Sequence, residues 1–539
     1  MTLKEIRCKD DLPCDPQLLK ELLWSSVCDL RALQERCRLF ERQIYGRRSE
    51  KMPQAPQDSG EQLRLEELMA QLPAATLQDA QHSLVRVAAH QRRRQKHPGR
   101  NAIPESIPVQ EHVVDISEEQ KNCTHCPNRS GCRYQKLVAL PEVKHDVVER
   151  EPARYTCHRY ITRRYACPAK KEAIQAAEPP TVSPIAKSVA GLNLLVFVIL
   201  SKYLYHLPLY RIQRQIFHES GGIWFTRSTM VCWIRELCVP LERVYRAMIT
   251  EVKAGDYIHA DESFLRRIIL QGGSHSAWMW VYLGAEGRVP IFDYRESRGS
   301  DAPRAFLSGC SPGTRLMTDA YAAYQSAIDK HGLLAMLCMA HARRQFVQAM
   351  EVGSQPDFAR RIIQLIARLY LVERYADSKS CSPQQRLQLR QRLSAPIMQR
   401  IKAALSAPGF TVLPASRIGL AIAYMLHNWD RLLRFLEDGA LPIDNNAVER
   451  LIRALAIGRK NWLFVVSEEG GKRMAILLSI IACCKLNGVE AEEYFKDVLM
   501  RLAIRAPEQS VADLTPLQWL KAKSGATLPP TKTIYPSTR

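Results

Sequence analysis

The chain has 539 residues, too many for one hydrophobic core, and its 46% hydrophobic content is ample to bury several, so two to four domains are expected. Its 76 Lys+Arg against 55 Asp+Glu leave a net charge of +21, which favours a polyanionic partner, either nucleic acid or a membrane surface. No apolar run approaches the roughly 20 residues that span a bilayer, and the charged N-terminus does not indicate export, so a cytoplasmic location with reduced cysteines and no membrane partner is expected.

Leu23, Leu30, Cys37 and Ile44 recur every seventh residue, with Leu33 and Phe40 in companion positions. The spacing predicts a coiled-coil helix within 15–50, about three heptads long, with an ordinary amphipathic helix as the alternative. Residues 51–100 read as a linker whose basic run at 91–96 attracts phosphate and whose Pro98-Gly99 pair breaks any helix. A cysteine module follows at 101–180. Cys123-x-x-Cys126 supplies half of a tetrahedral, zinc-ribbon-like site. The second half is irregular: Cys167 is followed by Lys170 where another cysteine would complete the pair, and Cys132, Cys157 and His158 are further candidates. Two outcomes stay open, a Zn²⁺ site and a metal-free knuckle.

Residues 181–250 are predicted helical. The Gly221-Gly222 turn is followed by a short helix that Thr226 or Ser228 can cap, the outline of a helix-turn-helix. Its second helix would offer Arg227, Ser228 and Thr229 to base edges and phosphates, with a purely structural helical hairpin as the alternative.

At 251 the apolar period changes from helical to alternating. YIHADESFLRRIIL, AWMWVYLGA and VPIFDYRES predict a three-stranded antiparallel meander, RLMTDAYAAYQ a fourth strand, and LLAMLCMAHARRQFVQAM a fifth that runs straight into a helix. This order is that of a ribonuclease H-like α/β domain with a mixed five-stranded sheet. The core would run over 251–350, be interrupted by an all-helical insertion at 351–440, and resume at 441–505, before a C-terminal tail at 506–539. The resumed part opens on Asp444, Asn445 and Asn446, a run suited to cap a helix that ends near Gly458. Glu449 falls in its first turn, and Arg459, Lys460, Asn461 and Trp462 follow as a cluster suited to a nucleic-acid backbone and an unstacked base.

Asp261 lies mid-strand, where a carboxylate needs a cation or a hydrogen-bond network. Asp319 ends the fourth strand. A sheet that sets strands one and four side by side makes the two aspartates neighbours, and Glu449 can add a third oxygen donor. Three such carboxylates call for divalent cations, and hard oxygen ligands select Mg²⁺ or Mn²⁺. Two ions roughly 3.5 to 4 Å apart would clamp the attacking and leaving oxygens of an in-line phosphoryl displacement. Asp256, Glu262, Asp293 and Asp444 are the nearest competing acids, and Glu262 should point to the opposite face from Asp261.

HADESF, LMTDAYAAY, CMAHARRQF and above all DNNAVERLIRALAIGRKNWLF resemble the transposases of the bacterial insertion-sequence 66 family, which use a DDE triad on a ribonuclease H-like domain. The resemblance runs from the GRRSEK segment to the last helix. It implies that Asp261, Asp319 and Glu449 form the triad, and that Cys338-x-x-His341 is the family's C-x-x-H signature beside it. His341 would then bond near the scissile phosphate, and Arg343, Arg344, Lys460 and Trp462 would position DNA. The implied activity is cutting of the element's ends and joining of the 3′-OH ends to target DNA. The implied partners are double-stranded DNA at the element ends and the target, further copies of the chain, and accessory proteins encoded by the same element, in a bacterial cytoplasm at the nucleoid. The alternatives are an inactive, transposase-derived DNA-binding regulator and a nuclease of the same fold.

Overall fold

The computed structural model describes residues 188–524 other than 270–271, 285, 354 and 408–411, together with Tyr155, 164–166, 174–176, 183–185 and scattered positions between 15 and 38. These all belong to one compact unit of the chain. Cys123, Cys126 and Cys167, the other cysteine-module candidates and most of the heptad positions lie outside the described residues. Of the heptad positions, Leu30, Leu33 and Cys37 are described, and all three are exposed.

Two short antiparallel strands, β1 (Arg164–Ala166) and β2 (Ile174–Ala176), precede a helical region. That region holds α1 (Leu192–Tyr203), α2 (Leu209–Glu219) and α3 (Arg227–Lys253). The cap of α3 is Thr226, whose hydroxyl accepts from the Thr229 N–H at 3.1 Å. This helix is far longer than the short one expected. The apolar positions Met230, Trp233, Ile234, Leu237, Leu241, Val244, Met248 and Val252 keep helical spacing for about six turns and all are buried.

The central sheet comprises β3 (Tyr257–Ile268), β4 (Ser274–Gly284), β5 (Val289–Arg295), β6 (Arg315–Thr318) and β7 (Leu334–Leu337), in the order β5-β4-β3-β6-β7. The first three form the expected meander, while β6 lies parallel to β3 and β7 parallel to β6. The first strand is therefore central and the fourth is its neighbour. Between β5 and β7 lie α4 (Asp301–Phe306) and α5 (Gln325–His331). The fourth strand is shorter than predicted: its second half, Ala322–Tyr324, is a 3-10 turn.

After β7 the chain enters α6 (Met339–Val352) and then the helical insertion: α7 (Pro356–Ser378), α8 (Pro383–Leu389), a π-helical turn at Arg390–Ser394, α9 (Ala395–Leu405), α10 (Arg417–His427) and α11 (Trp429–Leu433). It carries a hydrophobic core of its own, which takes in Met317, Met336 and Leu337 from β6 and β7 and Phe346 from α6, so the insertion is seated on the β7 side of the sheet. The second core lies around β3–β5, α1 and α3. The chain returns through α12 (Asn446–Trp462) and α13 (Glu468–Asn487), the latter covering the β5 edge, where Ser479 Oγ accepts the Phe292 N–H at 2.8 Å. Residues expected to be tail continue the fold. After α14 (Ala491–Ile504), α15 (Pro516–Ser524) packs through Leu517 and Trp519, with the indole of Trp519 donating to Asp497 at 2.6 Å.

Candidate active site

β3 brings its residues to two faces by strand alternation, with His259, Asp261 and Ser263 on one and Ala260, Glu262 and Phe264 on the other. In the parallel pairing with β6, His259 stands opposite Met317, so Asp261 and Asp319 each lie two residues further along their segments. β6 stops there for a local reason. The Asp319 carboxylate accepts the N–H of Tyr321 at 3.0 Å, an Asx turn that diverts the chain into the 3-10 turn.

Glu449 occupies the first turn of α12. The three residues expected to cap this helix divide the work differently. Asp444 accepts the backbone N–H of Asn446 at 3.0 Å and its side-chain amide at 2.6 Å. Asn445 is the N-cap residue, but its side chain makes no cap bond. It is fully buried and turned to the sheet: its amide donates to the Ala260 carbonyl at 2.9 Å, its Oδ1 lies 2.9 Å from His259 Nδ1, and its backbone N–H meets Cys338 Sγ at 3.1 Å. One residue thus ties the position before Asp261, the start of the C-x-x-H segment and the helix that carries Glu449, the first through its side chain and the second through its backbone N–H. Gly458, expected to end the helix, is buried inside it, where a Cβ would meet Trp462 Nε1 at 2.8 Å and His206 Nδ1 at 3.0 Å.

The carboxyl of Asp261 feels the other two. Burial pushes the carboxyl of Asp261 up to about 7; the charges of Glu262, Asp319 and Glu449 act in the same direction, against the Glu262 N–H that it accepts at 2.8 Å. Glu449 Oε1 is buried without a hydrogen-bond partner, 3.7 Å from His341 Nε2, while Oε2 is 3.9 Å from Arg344 Nη2. Cys338, His341 and Glu449 have ligand atoms within 4.8 Å of one another. The thiol of Cys338 is pushed up to about 12 by burial and accepts the Asn445 N–H at 3.1 Å.

The competing acids have partners of their own. Glu262 lies on the opposite face, as its position in the strand predicts; it binds Arg298 at 2.6 Å and the Tyr324 hydroxyl at 2.8 Å. Arg298 in turn lies over the rings of Tyr321 at 4.0 Å and Trp278 at 4.8 Å. Asp293 is paired with Arg295 at 2.9 Å.

Among the residues expected to touch DNA, Arg227 and Ser228 are exposed at the start of α3 and Thr229 is half-buried, while Arg343 and Arg344 are half-buried on α6 within a turn of His341. Lys460 and Asn461 are exposed. The other two members of that cluster turn inward. Arg459 bonds the Phe264 carbonyl and approaches Ser263 Oγ at 3.4 Å, pinning α12 to β3, and Trp462 packs against the core beside Gly458. Both are half-buried, because the helix runs a full turn past Gly458 and carries them back over the sheet. The Asn445–His259 pair was not singled out from the sequence. Its only signal there is that His259 shares the face of Asp261 and that an Asn follows Asp444 just before the helix.

Residues 187–473, more than half of the chain, match the family model described as Transposase IS66 family. Residues 479–517 match the IS66 C-terminal element, and residues 32–111 match Transposase C of IS166 homeodomain. Three uncharacterized proteins of Sinorhizobium fredii (strain NBRC 101917 / NGR234) are similar. One, y4jD, is 29% identical over 74% of this chain and 78% of its own length. For y4hP the identity is 26% over 92% and 90%, and for y4qI 27% over 89% and 87%. The chain belongs to the IS66 transposase family.

Proposed function

We propose that this member of the family is an active DNA transposase that cuts the ends of its insertion sequence and joins the 3′-OH ends to target DNA, with Asp261, Asp319 and Glu449 as the triad of a ribonuclease H-like domain. The observation that carries the reading is the register of β3 against β6, which sets Asp261 and Asp319 each two residues beyond the same paired positions, with α12, whose first turn holds Glu449, packed on β3. The donor set fits divalent cations: three hard oxygen ligands, one of them the unsatisfied buried Oε1 of Glu449, suit Mg²⁺ or Mn²⁺. Two such ions, when bound, supply Lewis-acid stabilisation to the attacking and leaving oxygens of phosphoryl transfer.

The protein's own groups do the rest. Asn445 holds the start of α12 against β3, which fixes Glu449 relative to Asp261. His341, 3.7 Å from Glu449, is placed to bond an oxygen of the scissile phosphate. Arg343 and Arg344 bind the strand backbone, and the α2–α3 hairpin with Arg227, Ser228 and Thr229, together with the homeodomain-like region at 32–111, binds the element ends. The N-terminal heptads pair subunits, accessory proteins of the element assist, and Cys123 and Cys126 with Cys167 hold a separate Zn²⁺.

A strand-transfer assay with pre-cut element ends in Mg²⁺ tests the reading, with joined product as the expected result. Cutting without joining would favour the nuclease, and end binding without either would favour the regulator.

A further inference from the structure

Between α6, α7 and the N-terminus of α12 lies a cavity of about 210 Å³ lined by Arg343, Arg344, Tyr370, Arg374, Asn446 and Glu449. Ala340 and Ala367 complete its wall, and their small side chains leave the space open. Three guanidinium groups face one carboxylate, and that carboxylate is assigned above to cation binding. Arg344 Nη2 lies 3.9 Å from it. The acid next to Arg374 cannot neutralise it: Glu373 is buried and committed to Arg390 at 2.7 Å and Arg386 at 2.8 Å. Tyr370 lies beside the carboxyl of Asp444, at the loop that starts α12. The N-terminal end of that 17-residue helix, represented here by Asn446, adds its own positive potential.

From this arrangement we infer that the helical insertion completes a phosphate-binding pocket beside Glu449, in which Arg374 of α7 grips a backbone phosphate of the strand being cut, next to the scissile one. The inference rests on the function proposed above and extends it, since it gives the insertion a direct part in holding the substrate. Guanidinium is the suited group, because its planar fork matches phosphate oxygens, and α7 brings it from the insertion to the cavity that Glu449 also lines.

The test is DNA binding by the full-length protein in EDTA, measured across a range of salt on a duplex that ends in the element terminus. Arg374→Gln should lower the slope of log affinity against log salt by about 1, the loss of one phosphate contact. Arg361→Gln, also exposed on α7 but outside the cavity lining, should leave the slope unchanged. Single neutral methylphosphonates placed on either side of the cut should then reveal one position that weakens the parent and has no further effect on Arg374→Gln. Equal slopes for parent and Arg374→Gln, equal losses in the two variants, or no such position would each overturn the inference. Failure of the proposed function has a separate signature, a parent protein that neither cuts nor joins in Mg²⁺, because the binding measurement needs no turnover.

Discussion

Asp261 is the residue at which stability and function pull apart most strongly. Its carboxyl is held at about 7 against an ordinary 3.8 by burial and three neighbouring acids. The folded state keeps this proton where the unfolded chain has lost it, so stability is full below about pH 4, falls as pH rises, and has lost the whole contribution above about pH 7. At about 1.4 kcal/mol per tenfold change in proton affinity the interval is worth about 4 kcal/mol, and partial solvent access reduces this to about 2–4 kcal/mol. Asp261→Asn removes the charge while retaining an oxygen to accept the Glu262 N–H. In EDTA at pH 8 the variant should therefore melt higher than the parent by about 4–8 °C, taking roughly 2 °C per kcal/mol for a folded unit of this size. The two should converge near pH 4. Thermal melts followed by circular dichroism from pH 4 to 8 make the comparison, and a repeat in Mn²⁺ should raise the parent but not the variant. Parallel melting curves across this range, or a variant less stable than the parent at pH 8, would refute the argument that these carboxylates repel one another in a buried cluster.

Glu449→Gln should leave the melting temperature and end binding near parental values while slowing cleavage by about 10² to 10³, since it removes one charged ligand and little volume; parental cleavage in Mg²⁺ would remove Glu449 from the site. Asn445→Ala strands His259 and the Ala260 carbonyl in the interior and should cost about 1–3 kcal/mol in denaturant unfolding. It should also slow cleavage far more than Leu455→Ala, a core truncation on the same helix expected to cost about 2–5 kcal/mol. Equal rates in those two variants would mean that Asn445 only stabilises. Arg390→Ala leaves Glu373 buried with one partner fewer and frees the carbonyls of Phe435 and Asp438, so it should destabilise the insertion by about 3–5 kcal/mol, read as earlier proteolysis between 356 and 440.

Much of this protein was legible in its sequence, because the relevant signals are local. The alternation from Tyr257 onward marked the meander, the turn from β7 directly into α6 was visible in LLAMLCMAHARRQF, and the long polar-helical stretch after Val352 stood out as an insertion. Asp261 and Glu262 were separable by strand parity alone, which the Glu262–Arg298 pair bears out. Boundaries that depend on packing were not legible. Gly458 reads as a stop, yet α12 runs through it because Trp462 and His206 fill the space that a Cβ would take. In the same way Leu514, Leu517 and Trp519 belong to the core, since α14 and α15 meet only in the fold. Local preference identified Asp444, Asn445 and Asn446 as capping residues, but the choice among them was tertiary. A buried His259 and an open Ala260 carbonyl on a strand 185 residues earlier in the chain claim the side chain of Asn445, leaving the backbone of α12 to Asp444. Composition and motif thus named the candidate acids, while the register of β3 against β6 and this one long-range amide decided where the segments that carry them lie, because distance between residues so far apart in sequence is set only by what packs between them.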